Sequence, residues 1–404
     1  MKKTIYNENH VQSRVLKKTL TIQRSPVDNI STKTHDHFQP INPACLNPPL
    51  VGKGMDMILP HGGLPEVISS HLCSLIERTG GVNGPIGLQF VARPELERKN
   101  HQEGAMDPLS EDEYEIVPGV IYKYRGEIDE NGNVIKHGRV LWTVTRFCAS
   151  FCRFCTRGRE VGLPVFMKAR TCGSIAQKAL LSDEDIRKVM EFLKNAKEVN
   201  EVILSGGDPL TAPKPYLTKI VKSLVVLQKS GDLDIIRIGT RLPVHNPGQI
   251  QEWHYQLLSE IKNVCLMVHI NHPAELTAET LEVLYNFRKK SLATVFSQSV
   301  LLKGVNDSEE ILQELFETLA KEGVRPYYIY QNDPVYWAEH FTVPVRESID
   351  LWQRLRPRLS GIAATARFVI DTPYGFGKIP IPEGEAWKVD YSCYYDFKKK
   401  KHSL

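Results

Sequence analysis

The sequence predicts an α/β protein built on a partial or full barrel of six βα units. From Arg139 onward, short apolar runs alternate with amphipathic helical periods. The runs are apolar on both faces, as strands of a helix-covered parallel sheet are. Polar, chemistry-bearing residues stand just past the ends of the runs, where βα barrels keep their sites. Periodicity alone fits a doubly wound sheet equally well; the strand-end residues favour the barrel.

Taken in order, residues 1–137 of the 404 form an N-terminal extension rich in Pro, Gly and charge. Its one periodic apolar segment, residues 64–78, predicts helix, and the extension is expected to be mostly helical. An Asn131-Gly132 pair between short arms in residues 125–136 predicts a hairpin. The core, residues 138–345, carries six strand candidates: 140–145, 201–205, 235–240, 264–270, 293–298 and 326–331. Helical periods at 183–197, 216–229, 278–289 and 309–321 separate them. Residues 346–404 form a C-terminal segment with a further apolar run at Phe368-Val369-Ile370.

Composition narrows the function classes. A net charge of +4 is too near balance to imply nucleic acid, and the basic run 398–401 reads as a solvated tail. No run of 18 apolar residues appears, so no membrane span is expected. The first 25 residues lack the apolar core of a secretory signal. Apart from one trio, the cysteines (Cys45, Cys73, Cys172, Cys265 and Cys393) are scattered, which suits a reducing compartment and a cytoplasmic location.

The trio is the sharpest signal. Cys148, Cys152 and Cys155 follow the first core strand at C-x3-C-x2-C spacing. Three thiolates so close can hold three irons of a [4Fe–4S] cluster and leave the fourth iron open, where chemistry happens. A zinc site would need a fourth Cys or His, and none follows within 15 residues. Past the second strand come Gly206, Gly207 and Asp208, a turn that admits a ligand close to backbone N–H groups, with a carboxylate able to take an ammonium. Alone, such a turn is a weak signal. Arg241 ends the third strand, suited to a carboxylate or phosphate, although a surface ion pair accounts for it as well. Lys378 sits in a Gly/Pro-rich loop after an apolar run. It reads either as an exposed loop lysine or as a desolvated Schiff-base lysine.

In this order, the cysteine loop, the Gly206-Gly207-Asp208 turn, Gln298-Ser-Val-Leu-Leu302, Tyr327-Tyr-Ile-Tyr-Gln331 and Gly377-Lys378-Ile379-Pro380 resemble the lysine 2,3-aminomutase family. That family belongs to the radical S-adenosylmethionine (radical SAM) enzymes and uses pyridoxal phosphate. The likeness runs from about residue 107 to 380 and leaves the first 60 or so residues unmatched. It implies a partial (β/α)6 radical SAM barrel with the pyridoxal-phosphate lysine in the C-terminal segment. Cys148, Cys152 and Cys155 would then bind the cluster, with Gly206, Gly207, Asp208 and Gln298 around S-adenosylmethionine. Lys378 matches the lysine that forms the Schiff base with pyridoxal phosphate, and Arg139 the arginine on its phosphate. Arg157 matches the arginine that pairs the substrate carboxylate. Asp333 and Asp371 match two acidic residues that hold the ε-ammonium in lysine-specific members. An ammonium suits two carboxylates and a glutamate side chain does not, so the implied reaction is L-lysine to L-β-lysine. An electron donor such as flavodoxin or ferredoxin and a homo-oligomeric state are implied as well.

The chain also departs from the family. The clostridial structural zinc uses a cysteine after a Val-Asn-Asp turn and a cysteine cluster near the C-terminus. Here Ser308 follows Val305-Asn306-Asp307 and the tail offers only Cys393, so no structural zinc is expected. Phe154 replaces a common histidine inside the cysteine motif, and residues 162–181 are longer than the family norm, as a lid or a surface loop. Three other readings stand beside lysine: the same migration on arginine, glutamate or a protein lysine; a radical SAM enzyme without pyridoxal phosphate; and a cluster protein for electron transfer or regulation.

Overall fold

A computed structural model describes residue 64 and residues 66–97, 104–161, 179–373, 377–383, 393–395 and 400–403. Each of the six predicted core strands forms: β5 (Gly138–Thr145), β6 (Val199–Gly206), β7 (Ile235–Thr240), β8 (Cys265–His269), β9 (Thr294–Leu301) and β10 (Arg325–Gln331). They pair in chain order and all in parallel. The sheet is open, running from β1 (Glu115–Val117) and β2 (Val120–Tyr124) through β5–β10 to β11 (Arg367–Ile370) and β12 (Ile379–Pro380). A mixed α/β fold with a partial, barrel-like sheet results.

Inward alternation explains why the strands hold. Trp142, Val144, Leu204, Ile238, Leu266 and Val268 are buried in one large core cluster. Against them lie α4 (Asp183–Asn195), α5 (Lys214–Ser230), α8 (Ala278–Lys290), α9 (Glu309–Lys321) and α10 (Val345–Leu355), each burying one apolar stripe, with the short α6 (Leu242–His245) and α7 (Glu252–Leu258) between α5 and α8 in the chain. Local chemistry sets the helix starts. Ser182 and Asp185 form a reciprocal capping box on α4, and Thr277 and Ser308 cap α8 and α9 through their hydroxyls. Ser308, which follows the Val305-Asn306-Asp307 turn, is thus a helix cap.

The apolar run after residue 366 is β11, a seventh parallel strand on β10. One expectation needs correction. The described part of residues 1–137 is mixed rather than mostly helical. It contributes α1 (Ser70–Arg78), α2 (Pro85–Phe90) and α3 (Pro94–Glu97), but also two sheet strands, β2 antiparallel to β5 and β1 antiparallel to β2. β3 (Glu127–Ile128) and β4 (Val134–Lys136) form the predicted hairpin, with Gly132 at φ +83° in its turn. Tyr122 and Tyr124 escaped notice because five strand residues between two turns carry little periodic signal. Residues 1–60, Cys45, Cys172 and residues 162–178 lie outside the described residues.

Helices α1 and α2 make a second core of Ile68, Leu72, Leu75, Ile76, Ile86 and Phe90, against which Cys152 packs. The cysteine loop is clamped to this region. Arg153, 1% exposed, donates to Glu97 Oε1 at 2.7 Å and to the Leu64 carbonyl at 3.0 Å. Its own N–H donates to the Gln89 carbonyl at 2.9 Å, and Ser150 Oγ donates to the Val67 carbonyl at 2.7 Å.

Candidate active site

A cavity of about 450 Å³ opens at the C-terminal ends of the parallel strands, within the usual size of a small-molecule site. Cys148, Cys152, Cys155, Arg139, Arg157, Gly206, Gly207, Asp208, Gln298, Asp333, Asp371 and Lys378 all line it. Residues up to 239 positions apart in the chain therefore face one space, most of them at or past the C-terminal strand ends, with Arg139 at the start of β5.

The cysteine loop leaves β5 directly. Burial pushes the Cys148 thiol well above its ordinary range, and the nearby Cys152 and Asp208 push the same way. Cys148, Cys152 and Cys155 face one cavity from a single loop, an arrangement that suits an iron–sulfur cluster. Among the described residues no three His, Cys, Asp or Glu side chains are grouped to hold a metal ion. One cysteine per iron across a cube asks for a wider spacing than convergence on one ion. Cys152 has two polar neighbours: Arg241 Nη1 donates to its Sγ at 3.0 Å, and His245 Nε2 lies 3.6 Å away. Arg241 is thus buried in the site rather than in a surface pair.

The Gly206-Gly207-Asp208 turn is a close backbone crossing. A Cβ at Gly207 would sit 1.9 Å from the Phe147 carbonyl oxygen, and Gly206 takes φ +105°. The Asp208 carboxylate, 2% exposed, is committed to the protein itself. It accepts from the N–H groups of Leu210 (3.0 Å), Arg241 (2.7 Å) and Leu242 (2.8 Å), and from Thr240 Oγ1 at 2.9 Å. It staples β6 to β7, a role that composition and spacing do not reveal. Gln298 lies inside β9 rather than at its end and donates to Tyr330 Oη at 2.8 Å.

At the far side, Lys378 Nζ donates to Asp371 Oδ2, while Tyr124 Oη and the Thr372 N–H donate to Oδ1 at 3.1 and 3.0 Å. Burial would raise the Asp371 carboxyl, but Lys378 and Lys123 hold it below the ordinary range. Withdrawal from water, then the Asp371 charge, pushes Asp333 up to about 7. Lys123, lowered by burial, donates to the Leu109 and Thr372 carbonyls. The Arg139 guanidinium stacks on the Tyr124 ring at 3.9 Å and makes no ion pair among the described residues. A half-buried cation without a carboxylate, beside an addressable lysine, suits a phosphate-bearing aldehyde such as pyridoxal phosphate. Arg157 Nη2 pairs with the buried Glu111, and Nη1 reaches Ser205 Oγ at 3.4 Å. Its Nε has no partner among the described residues. Glu111, Lys123 and Tyr124 carry no motif by themselves and were invisible to a reading by spacing.

Residues 142–316 match the Radical SAM superfamily. With the open three-cysteine loop at the mouth of a parallel sheet, that match defines a radical SAM enzyme. An L-lysine 2,3-aminomutase of Methanococcus maripaludis is 32% identical over 318 residues, 78% of this chain and 66% of that protein. The L-lysine 2,3-aminomutase of Clostridium subterminale is 33% identical over 318 residues, 79% and 69%. A putative L-lysine 2,3-aminomutase of Treponema pallidum is 34% identical over 319 residues, 79% and 81%. The chain spans about two thirds of the length of the first two. It belongs to the lysine 2,3-aminomutase family, a family of isomerases.

Proposed function

We infer that the chain is an L-lysine 2,3-aminomutase, moving the amino group of L-lysine from C2 to C3 to give L-β-lysine. The observation that carries this reading is the pairing of Asp371 with an alkylammonium, that of Lys378, beside Asp333 in the same cavity as the cysteine loop. In the free protein Lys378 stands in for a substrate ammonium. Once its nitrogen is engaged by pyridoxal phosphate, the two carboxylates face Lys123 alone and have charge to spare for one further cation. A glutamate side chain there would meet like charge. Arginine fits the charge but brings a planar, bulkier head.

When bound, the cluster with S-adenosylmethionine supplies a hydrogen-abstracting radical, and pyridoxal phosphate supplies the conjugated system that carries the migrating amine. The chain's own residues position and enclose. In this assignment Cys148, Cys152 and Cys155 hold the cluster in the partial (β/α)6 barrel, and Gly206, Gly207, Asp208 and Gln298 border S-adenosylmethionine. Arg139 takes the phosphate, and Lys378, in the C-terminal segment, supplies the attacking amine. Before it attacks, its Nζ must lose a proton to solvent, which leaves Asp371, now without its lysine partner, charged for the substrate. Arg157 takes the substrate carboxylate on the edge that Glu111 leaves open, while Asp333 and Asp371 hold the ε-ammonium. Fixing both ends of the lysine presents one Cβ hydrogen to the radical, an orientation effect. A low-potential one-electron donor such as flavodoxin or ferredoxin, a homo-oligomeric assembly and a cytoplasmic setting complete the proposal.

Lys378→Ala tests the cofactor assignment. Reconstituted with pyridoxal phosphate, the parent should show visible absorbance near 420 nm that borohydride bleaches and fixes to the chain. The variant should show neither and form no β-lysine, while still binding S-adenosylmethionine. Parent-like turnover in the variant would remove Lys378 from its role.

A further inference from the structure

The mechanism leaves Arg241 without a task, although it is one of the most elaborately held side chains in the molecule. It is 5% exposed and sits between the rings of Phe90 and Phe154, with its guanidinium carbon 4.7 and 5.3 Å from their centroids. Nη2 donates to Gln89 Oε1 at 2.5 Å and to both Glu275 carboxylate oxygens at 3.3 Å. Those partners are fixed in turn. Gln89 Nε2 donates to Glu275 Oε1 at 2.8 Å, Asn271 Nδ2 to Gln89 Oε1 at 2.9 Å and the Asn271 N–H to Glu275 Oε2 at 3.2 Å. Gln89, Asn271 and Glu275 are all fully buried. This network leaves Nη1 one direction, toward Cys152 Sγ at 3.0 Å.

We propose that Arg241 is a positioning residue of the iron–sulfur cluster, whose fixed guanidinium donates to the Cys152 thiolate and raises the cluster's reduction potential. The proposal rests on the radical SAM reading of the cysteine loop. Hydrogen bonds to cluster sulfurs and nearby charge are the protein's means of setting that potential. Taking one electron from a low-potential donor converts [4Fe–4S]2+ to [4Fe–4S]+, and the added negative charge is stabilised by a cation held 3.0 Å from a ligand sulfur. Glu275 moderates the effect from the other edge of the guanidinium. Because Gln89 and Phe90 belong to α2, this arginine adds a polar link from that helix to Cys152 beside the packing and backbone contacts that clamp the cysteine loop.

The test is an EPR-monitored redox titration of the reconstituted full chain without S-adenosylmethionine. It compares the parent with Arg241→Gln, Arg241→Lys and Glu275→Gln, with iron and sulfide content measured for each. Arg241→Gln should make reduction at least tenfold less favourable, a fall of about 59 mV for one electron. Arg241→Lys should fall between the two, and Glu275→Gln, which removes the moderating anion, should shift the midpoint upward. Where Arg241→Gln holds no cluster, the opposite shifts of Arg241→Lys and Glu275→Gln decide. Four-iron clusters of equal potential in parent and variants overturn the proposal alone, as do shifts of the same sign. A parent that assembles no four-iron cluster overturns the radical SAM reading with it.

Discussion

Replacing Asp371 with asparagine removes one charge and almost no volume from the wall that is assigned to the substrate ammonium. The side chain is 12% exposed, so water screens it poorly. Two unit charges about 4 Å apart at an effective dielectric of about 20 attract by roughly 4 kcal/mol. Asparagine keeps its oxygen for both Tyr124 and Thr372, which donate to Oδ1, so the net loss is nearer that of a charge-assisted hydrogen bond, about 3 kcal/mol. That corresponds to roughly a hundredfold loss in kcat/KM. The ε-ammonium is remote from the reacting carbons and unchanged through the reaction, so the loss should fall on KM with kcat nearly intact. The assay is anaerobic initial-rate formation of β-lysine at saturating cofactors, with bound pyridoxal phosphate checked by absorbance because Asp371 also touches Lys378. A variant with a normal cofactor spectrum and a KM within about threefold of the parent would refute the reasoning (a threefold change is about 0.6 kcal/mol).

Two further substitutions follow from the same geometry. Asp333 titrates near 7, above its ordinary 3.8, so its protonated form stabilises the fold fully below about pH 4, and that contribution is lost as pH rises through 7. Thermal melts of Asp333→Asn across pH 4–8 should show a shallower decline than the parent; parallel curves would contradict the assignment. The same proton competes with a substrate ammonium, so KM for lysine in the parent should fall as pH rises through 7, and this dependence should vanish in Asp333→Asn. Asp208→Asn should destabilise the fold by about 2 kcal/mol, because an amide N–H₂ then faces backbone N–H donors. Urea unfolding should show a lowered midpoint, and an unchanged one would mean the staple between β6 and β7 is unimportant.

The parallel core was legible in the sequence because its strands are apolar on both faces and its helices carry caps. Residues 235–240 and 309–321, for instance, match β7 and α9 end to end. What escaped was short or antiparallel. β1 and β2 have no helical period beside them in the sequence to frame them, and β11 reads as an apolar run without its place beside β10. In the site, residues that belong to ordered motifs were legible, Lys378 and Asp371 among them. Their partners were not, because Tyr124, Lys123 and Glu111 come from the other end of the chain and have meaning only once the sheet brings them to the cavity. Asp208 shows the opposite limit. Its motif was evident, but its carboxylate is directed to the protein's own backbone instead of outward.

The central claim is most directly tested by supplying the anaerobically reconstituted protein with S-adenosylmethionine, pyridoxal phosphate, a reductant and one candidate amino acid at a time. Chromatography would then follow the 3-amino isomers of lysine, arginine and glutamate. Conversion of L-lysine to β-lysine, with arginine and glutamate unchanged, is the predicted result. Conversion of glutamate, or a preference for arginine over lysine, would contradict the assignment of Asp333 and Asp371 to a lysine ammonium.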